Sequence, residues 1–161
     1  MNPTESAVKV VSLDSADQAR RIDEAIAHRA YEIFERRGGK GWHEPEDWRQ
    51  AESEVCTKLC CSLSSSIDSL LVGFSIARFE EGTVEVWIAP LKMTICGKPI
   101  PHKERTAKPA LSYKGMLFRT ITLPVEVEPR RAVASVKRSF VEMRLPLVRV
   151  TYGERSPAQA A

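Results

Sequence analysis

Hydrophobic positions change their period once along this chain. From Ser15 to about Cys60 they recur at helical spacing, and after Ser62 they alternate. Ile22, Ile26, Ala30, Ile33 and Phe34 form one stripe, opposite Arg20, Asp23, Glu24, Arg29 and Glu32. Ser15-Ala16-Asp17-Gln18 reads as a capping box that satisfies two orphan N–H groups at a helix start. Arg36 and Arg37 suit the negative end of the helix dipole, and Gly38-Gly39 stops the helix. A second helix is predicted from about Glu44, with Pro45 at the first helical position and Glu46 and Asp47 in the first turn. Its apolar face is Trp48, Ala51, Val55 and Leu59, and Trp42 is placed to bridge the connection. A hairpin this small buries too little surface to stand alone, so it is expected to dock on the rest of the chain or on a second subunit.

The alternating region predicts strands. Leu70, Val72, Phe74 and Ile76 alternate with Leu71, Gly73, Ser75 and Ala77, and Glu81-Gly82 makes a turn. Val84, Val86 and Ile88 form the next apolar set, and Leu91, Met93 and Ile95 the one after Pro90, closed by Gly97. Lys98–Lys114 is polar, with Pro99, Pro101 and Pro109 against a continuous ladder. Three more strands are predicted at about Met116–Leu123, Ala132–Arg138 and Phe140–Leu145. The fold class expected is α+β: an N-terminal helical hairpin followed by an antiparallel β-sandwich of immunoglobulin-like type. The predicted division is a flexible N-terminus at 1–14, the hairpin at 15–60, the sandwich at 61–150 and a flexible tail at 151–161.

Composition narrows the functional classes. An apolar fraction of 43% with 28% charged residues in 161 residues is ordinary for a globular protein. The net charge of +3 is mild and interspersed, so nucleic acid is not expected as a partner. No apolar run approaches the ~20 residues of a membrane span, and the short patch Ala7–Leu13, interrupted by Lys9, lacks a signal-peptide core. A cytoplasmic protein with no membrane partner is expected. Cys56, Cys60, Cys61 and Cys96 read as reduced thiols, and neither C-x2-C nor H-x3-H spacing supports a metal site that would recruit His43 or His102. There is no G-x-S-x-G, and Gly38-Gly39-Lys40-Gly41 lacks the ending and the preceding strand of a phosphate loop. Neither enzyme chemistry nor a cofactor is expected. Arg130-Arg131 reads as solvated charge at a corner.

Two segments are similar to known families. Ile26-Ala27-His28-Arg29-Ala30-Tyr31-Glu32-Ile33-Phe34-Glu35, a glycine turn, then Asp47-Trp48-Arg49-Gln50-Ala51-Glu52 resembles a short bacterial helical-hairpin domain of unknown function. That domain also occurs in front of α-crystallin-like domains and implies no activity. Further on, Phe118, Arg119, Leu123 and Pro124, then Val127 and Pro129, Ala134, and finally Met143, Leu145 and Pro146 resemble the closing segment of the α-crystallin domain of small heat-shock proteins. Leu91-Met93-Ile95-Gly97-Lys98 is similar to that family's strand ending, and the resemblance spans about 60–150. Lys98–Lys114 then stands where the bacterial type has a loop that crosses to an early strand of the partner. Two departures stand out: Ser139 replaces the glycine of the last hairpin, and Arg78-Phe79-Glu80-Glu81-Gly82 replaces a Pro-Gly pair.

The resemblance implies an ATP-independent chaperone of the stress response that binds unfolded proteins and pairs with itself as a homodimer, from which larger oligomers can be built. Strand edges would supply unpaired N–H and C=O groups beside alternating apolar side chains. The groove candidates are Val84, Val86 and Ile88 on one strand with Val133, Ser135 and Lys137 on the facing one, although alternation alone does not decide which face points inward. Arg119 matches the family's arginine implicated in ion pairs near the dimer contact, and Val148-Arg149-Val150 has the pattern of a C-terminal docking motif or of the exit from the last strand. The alternative is a partner-specific interaction module with the same sandwich and no general chaperone activity.

Overall fold

The computed structural model describes residues 8–41, 44–100 and 115–149. In chain order they form β1 (Val8–Ser12), α1 (Ser15–Arg36), α2 (Glu44–Val55), β2 (Cys61–Ser65), β3 (Ser69–Ser75), β4 (Val84–Ala89), β5 (Lys92–Gly97), β6 (Leu117–Thr122), a 3-10 turn (Pro129–Arg131), β7 (Val133–Lys137) and β8 (Phe140–Pro146). The α+β class expected from the sequence is the one observed: two helices and two four-stranded sheets. The first sheet has the order β1-β4-β5-β6 and the second β2-β3-β8-β7. Strand neighbours are antiparallel except β1 and β4, which are parallel.

The alternation predicted for the strands explains the layering. Val84, Val86, Ile88, Met93 and Ile95 project from the first sheet onto Leu70, Val72, Phe74, Val141, Met143 and Leu145 of the second, and all are buried. Leu91, expected on that inner face, is exposed in the β4–β5 turn. Leu123 and Val127 close the core behind β6. At one end Phe79 packs where only a glycine fits: a Cβ on Gly97 would stand 2.8 Å from its ring. β2 was not anticipated, because Cys61-Ser62-Leu63-Ser64-Ser65 offers almost no apolar alternation, yet it pairs in full register with β3.

The hairpin sits on the outside of the first sheet. Ile26, Ile33, Ala51 and Val55 are buried against Trp87, Cys96 and Phe118, the side chains that β4, β5 and β6 turn away from the core. Four details differ from the sequence expectation. Asp14, not Ser15, caps α1, its carboxylate accepting the Asp17 N–H at 2.8 Å. Arg29, placed on the polar face by helical spacing, is 2% exposed and is neutralised by Glu54 of α2 and by Glu32. Leu59 lies beyond the end of α2, in the sandwich core, and Trp48 keeps 39% of its surface exposed. At the other end of α1, Gly38 and Gly39 take positive φ, and the Gly39 N–H bonds back to the Phe34 carbonyl at 3.1 Å, as a helix stop of this kind requires.

The N-terminal expectation is corrected for residues 8–14. The sequence predicts a flexible 1–14, but Val8–Ser12 is a strand of the first sheet. The reason is a long-range partner that local pattern does not reveal: the edge of β4, 76 residues away in register. The predicted tail at 151–161 and most of Lys98–Lys114 lie outside the described residues.

Candidate strand-binding groove

β4 and β7 belong to different sheets, and their edges border one mouth of the sandwich. β1 occupies that mouth, hydrogen-bonded along β4 and lying beside β7 and the 3-10 turn. Its register sets Val8 opposite Val84, Val10 opposite Val86 and Ser12 opposite Ile88. Val8 and Val10 therefore face the sandwich core, where Val8 is 6% exposed and Val10 is partly buried. Val11 and Leu13 point the other way and pack at the edge of the hairpin cluster. Burying one valine contributes roughly 1.5–3 kcal/mol, so Val8 is the main apolar anchor. Lys9 is exposed, as the alternation of a strand with one wet face demands.

The end of β1 is tied to the hairpin by polar contacts. The Leu13 N–H donates to the Ile88 carbonyl at 3.0 Å, extending the ladder one residue past the strand. Gln18, fully buried in the first turns of α1, donates its Nε2 to the Leu13 carbonyl at 2.8 Å. Its Oε1 accepts from Thr94 Oγ1, also at 2.8 Å, and Thr94 in turn meets Thr120 Oγ1 at 3.1 Å. A buried amide is costly unless both of its ends are satisfied. Here both are, through the Leu13 carbonyl between β1 and α1 and the Thr94 hydroxyl of β5. The capping-box expectation gave Gln18 a local role, whereas its side chain is instead the link between hairpin and sheet.

The residues singled out from sequence fall as follows. Val84, Val86 and Ile88 point inward beside the mouth and are 3%, 0% and 0% exposed, and the edge of their strand is already covered by β1. Val133, Ser135 and Lys137 fall on the opposite, outward face of β7, and Val133 is 60% exposed. The residues that β7 turns toward the core and the mouth are Ala134 and Val136. The physical reason is the two-residue period, under which a choice of face inverts every position.

Arg119 on β6 is half-buried and donates its Nε to the Leu59 carbonyl at 3.1 Å, fixing the passage from α2 to β2. Its charge also offsets the burial that pushes the neighbouring Cys61 thiol upward. Val148 donates its N–H to Glu126 of its own chain at 3.1 Å, and Val150 lies outside the described residues. The groove residues that sequence reasoning missed are Val8, Val10, Ala134, Val136 and Gln18. The Val8-Lys9-Val10 alternation was their visible signal, though too short to identify a strand by itself.

Among the described residues, no helix is long and apolar enough to cross a membrane. Residues 21–56 match a family described as a protein of unknown function, DUF2934. No curated protein matches the sequence. Among solved structures, the chain is similar to heat shock protein 16.0 from Schizosaccharomyces pombe, at 19% identity with a TM-score of 0.47, over 61% of this chain and 72% of that one. It is also similar to a small heat-shock protein from Xylella fastidiosa, at 13% identity with a TM-score of 0.48, over 62% of this chain and 94% of that one.

Proposed function

We propose that this chain is an ATP-independent holdase of small heat-shock type, which binds unfolded or partly unfolded proteins and performs no covalent chemistry. The observation that carries the reading is β1 itself. The mouth between β4 and β7 already holds an extended aliphatic segment by main-chain hydrogen bonds and alternate valines, which is the mode in which a sheet edge takes a foreign strand. The motifs around Phe118-Arg119, Leu123-Pro124 and Leu145-Pro146 support the same reading through their resemblance to the α-crystallin domain. In this proposal residues 15–60 are a hairpin unit and 61–150 the sandwich, to which β1 adds a strand. The protein works in the cytoplasm as a homodimer with Arg119 near the dimer contact, and Val148 and Val150 are a candidate docking motif.

The experiment is to heat a thermolabile client enzyme with the purified protein, without nucleotide, and to follow light scattering. Suppression below one protomer per client supports the holdase. Absence of suppression at excess protein would overturn it in favour of a partner-specific module. That second reading has one observation on its side: the mouth is filled and the outer face of the first sheet is covered by the hairpin, which leaves less surface for general capture.

A further inference from the structure

Between α1, the glycine turn and α2 the hairpin forms a cavity of about 600 Å³, within the size range of sites that hold a small molecule. Ala27, Ala30, Tyr31 and Phe34 recur at i, i+3, i+4 and i+7, so they line it from one side of α1. Glu44, Asp47 and Trp48 do the same from α2. The stripe that docks the hairpin on the sheet is a different one, led by Ile26 and Ile33. Single exposed apolar residues are ordinary on a protein surface. Three aromatic rings around one cavity are not, and two of them stay open to solvent: Tyr31 is 60% exposed and Trp48 39%. Tyr31 and Phe34 stand with ring centroids 6.4 Å apart and planes tilted by 33°. The small side chains of Ala27 and Ala30 beside them leave the space unfilled.

Charge selects what such a cavity can hold. The charged groups that line it, Glu44 and Asp47, are both carboxylates. Asp47 is buried and balanced by Arg37, whose Nη2 donates to it at 2.6 Å. Glu44 is exposed and forms no ion pair among the described residues. The faces of aromatic rings are the negative poles of their quadrupoles and attract cations, so the rings and the unbalanced carboxylate favour the same sign. A metal ion does not suit the lining, because among the described residues no three His, Cys, Asp or Glu side chains are placed to hold one. We propose that the hairpin cavity binds a small alkylammonium ion, its methyl groups against the rings of Tyr31, Phe34 and Trp48 and its charge answered by Glu44. The site shares no residue with the β4–β7 groove, so this assignment stands or falls apart from the holdase reading. A ligand held by both helices also ties α1 to α2, which makes the hairpin more stable when the cation is bound.

The test titrates the full chain with choline and with its neutral carbon isostere, dimethylbutanol, and follows amide chemical shifts by nuclear magnetic resonance. Choline is expected to give saturable shifts at the amides of 27–41 and 44–48, with an affinity about tenfold or more above that of the alcohol. Trp48→Leu keeps an apolar side chain but loses the aromatic face, and should weaken choline about tenfold. Glu44→Gln keeps the shape and removes the charge, and should weaken choline about threefold or more while leaving the alcohol unchanged. Both residues are exposed, and unchanged shifts in the sheet amides confirm that each variant is folded. Equal affinity for choline and the alcohol would reduce the site to an apolar cavity and overturn the proposal. So would the absence of saturable choline shifts, shifts centred outside the hairpin, or two variants that bind choline as the unaltered protein does. A third probe, a blocked Gly-Arg-Gly peptide, separates a free cation from a side chain on a polypeptide. Tighter binding of that peptide than of choline would overturn the assignment to a small molecule.

Discussion

Arg29 and Glu54 form an ion pair across the two helices of the hairpin, with side chains only 2% and 9% exposed. Glu32 closes on the same guanidinium at 2.9 Å from the adjacent turn. Buried charges of this kind are costly to desolvate and add little net stability over an apolar pair, but removing one partner strands the other. Glu54→Ala leaves Glu32 on the guanidinium, so it should destabilise the protein by about 1.5–3 kcal/mol, and Arg29→Met with Glu54→Leu should recover most of that loss. Urea denaturation of the two variants checks it. A double variant no more stable than the single one would show that the hairpin needs the ion pair for more than charge balance.

The turn between β7 and β8 carries a second testable strain. Arg138 has φ of 58°, the only non-glycine with positive φ among the described residues. The left-handed position of this hairpin is therefore Arg138, although the family pattern drew attention to Ser139. A side chain there costs roughly 1–2 kcal/mol, part of which glycine gives back as unfolded-state entropy. Arg138→Gly is expected to stabilise by about 0.5–1 kcal/mol, whereas Ser139→Gly should stabilise nothing. Paired thermal melts decide it, and a gain at Ser139 with none at Arg138 would reverse the assignment.

The four thiols should separate by reactivity and by pH. Cys96, under the hairpin, is pushed up to about 12 by burial, with Glu85 adding in the same direction. Cys56 and Cys61 are raised, chiefly by burial, while Cys60 is exposed. A thiol reagent at mildly alkaline pH should modify Cys60 first and leave Cys96 untouched until unfolding. The linkage has a definite sign. As pH rises above the ordinary 9.0, the unfolded chain loses the Cys96 proton while the folded chain keeps it, so stability falls from about pH 9 toward 12. Cys96→Ala should flatten that decline in urea titrations across alkaline pH, and an unchanged slope would remove Cys96 as its cause.

How much of this was legible depended on the range of the interaction. Val84, Val86 and Ile88 could be read as one inward face because three branched aliphatics alternate with Glu85, Trp87 and Ala89. β7 could not be oriented the same way. It offers one valine to each face, Val133 outward and Val136 inward, so its own pattern is nearly balanced and only packing against β8 and β1 decides. Arg29 was misplaced for a related reason: helical spacing reports which face a charge lies on, while the carboxylate that makes burial tolerable is 25 residues away. β1 is the extreme case, a strand whose only ladder partner lies across both helices and two further strands.

Trp87 offers a direct test of how the hairpin is seated. Its ring is 4% exposed, lies 5.6 Å from Phe118 and has the Arg21 guanidinium 5.3 Å above it, while its Nε1 donates to Glu85 at 3.0 Å. Arg21 and Ile26 belong to α1, so the environment of Trp87 is made jointly by sheet and hairpin. With Trp42 and Trp48 replaced by phenylalanine, its fluorescence reports docking alone. Ile26→Ala removes a buried side chain from this contact and should cost about 3 kcal/mol. Because the sandwich has its own core, the loss should fall first on the docked hairpin. Trp87 emission is expected to shift red and become more quenchable by acrylamide at a denaturant concentration where the β-sheet circular dichroism persists. If emission and sheet signal instead changed together at every concentration, hairpin and sandwich would unfold as one cooperative unit, and the hairpin would be a structural part of the core and not a separable cover.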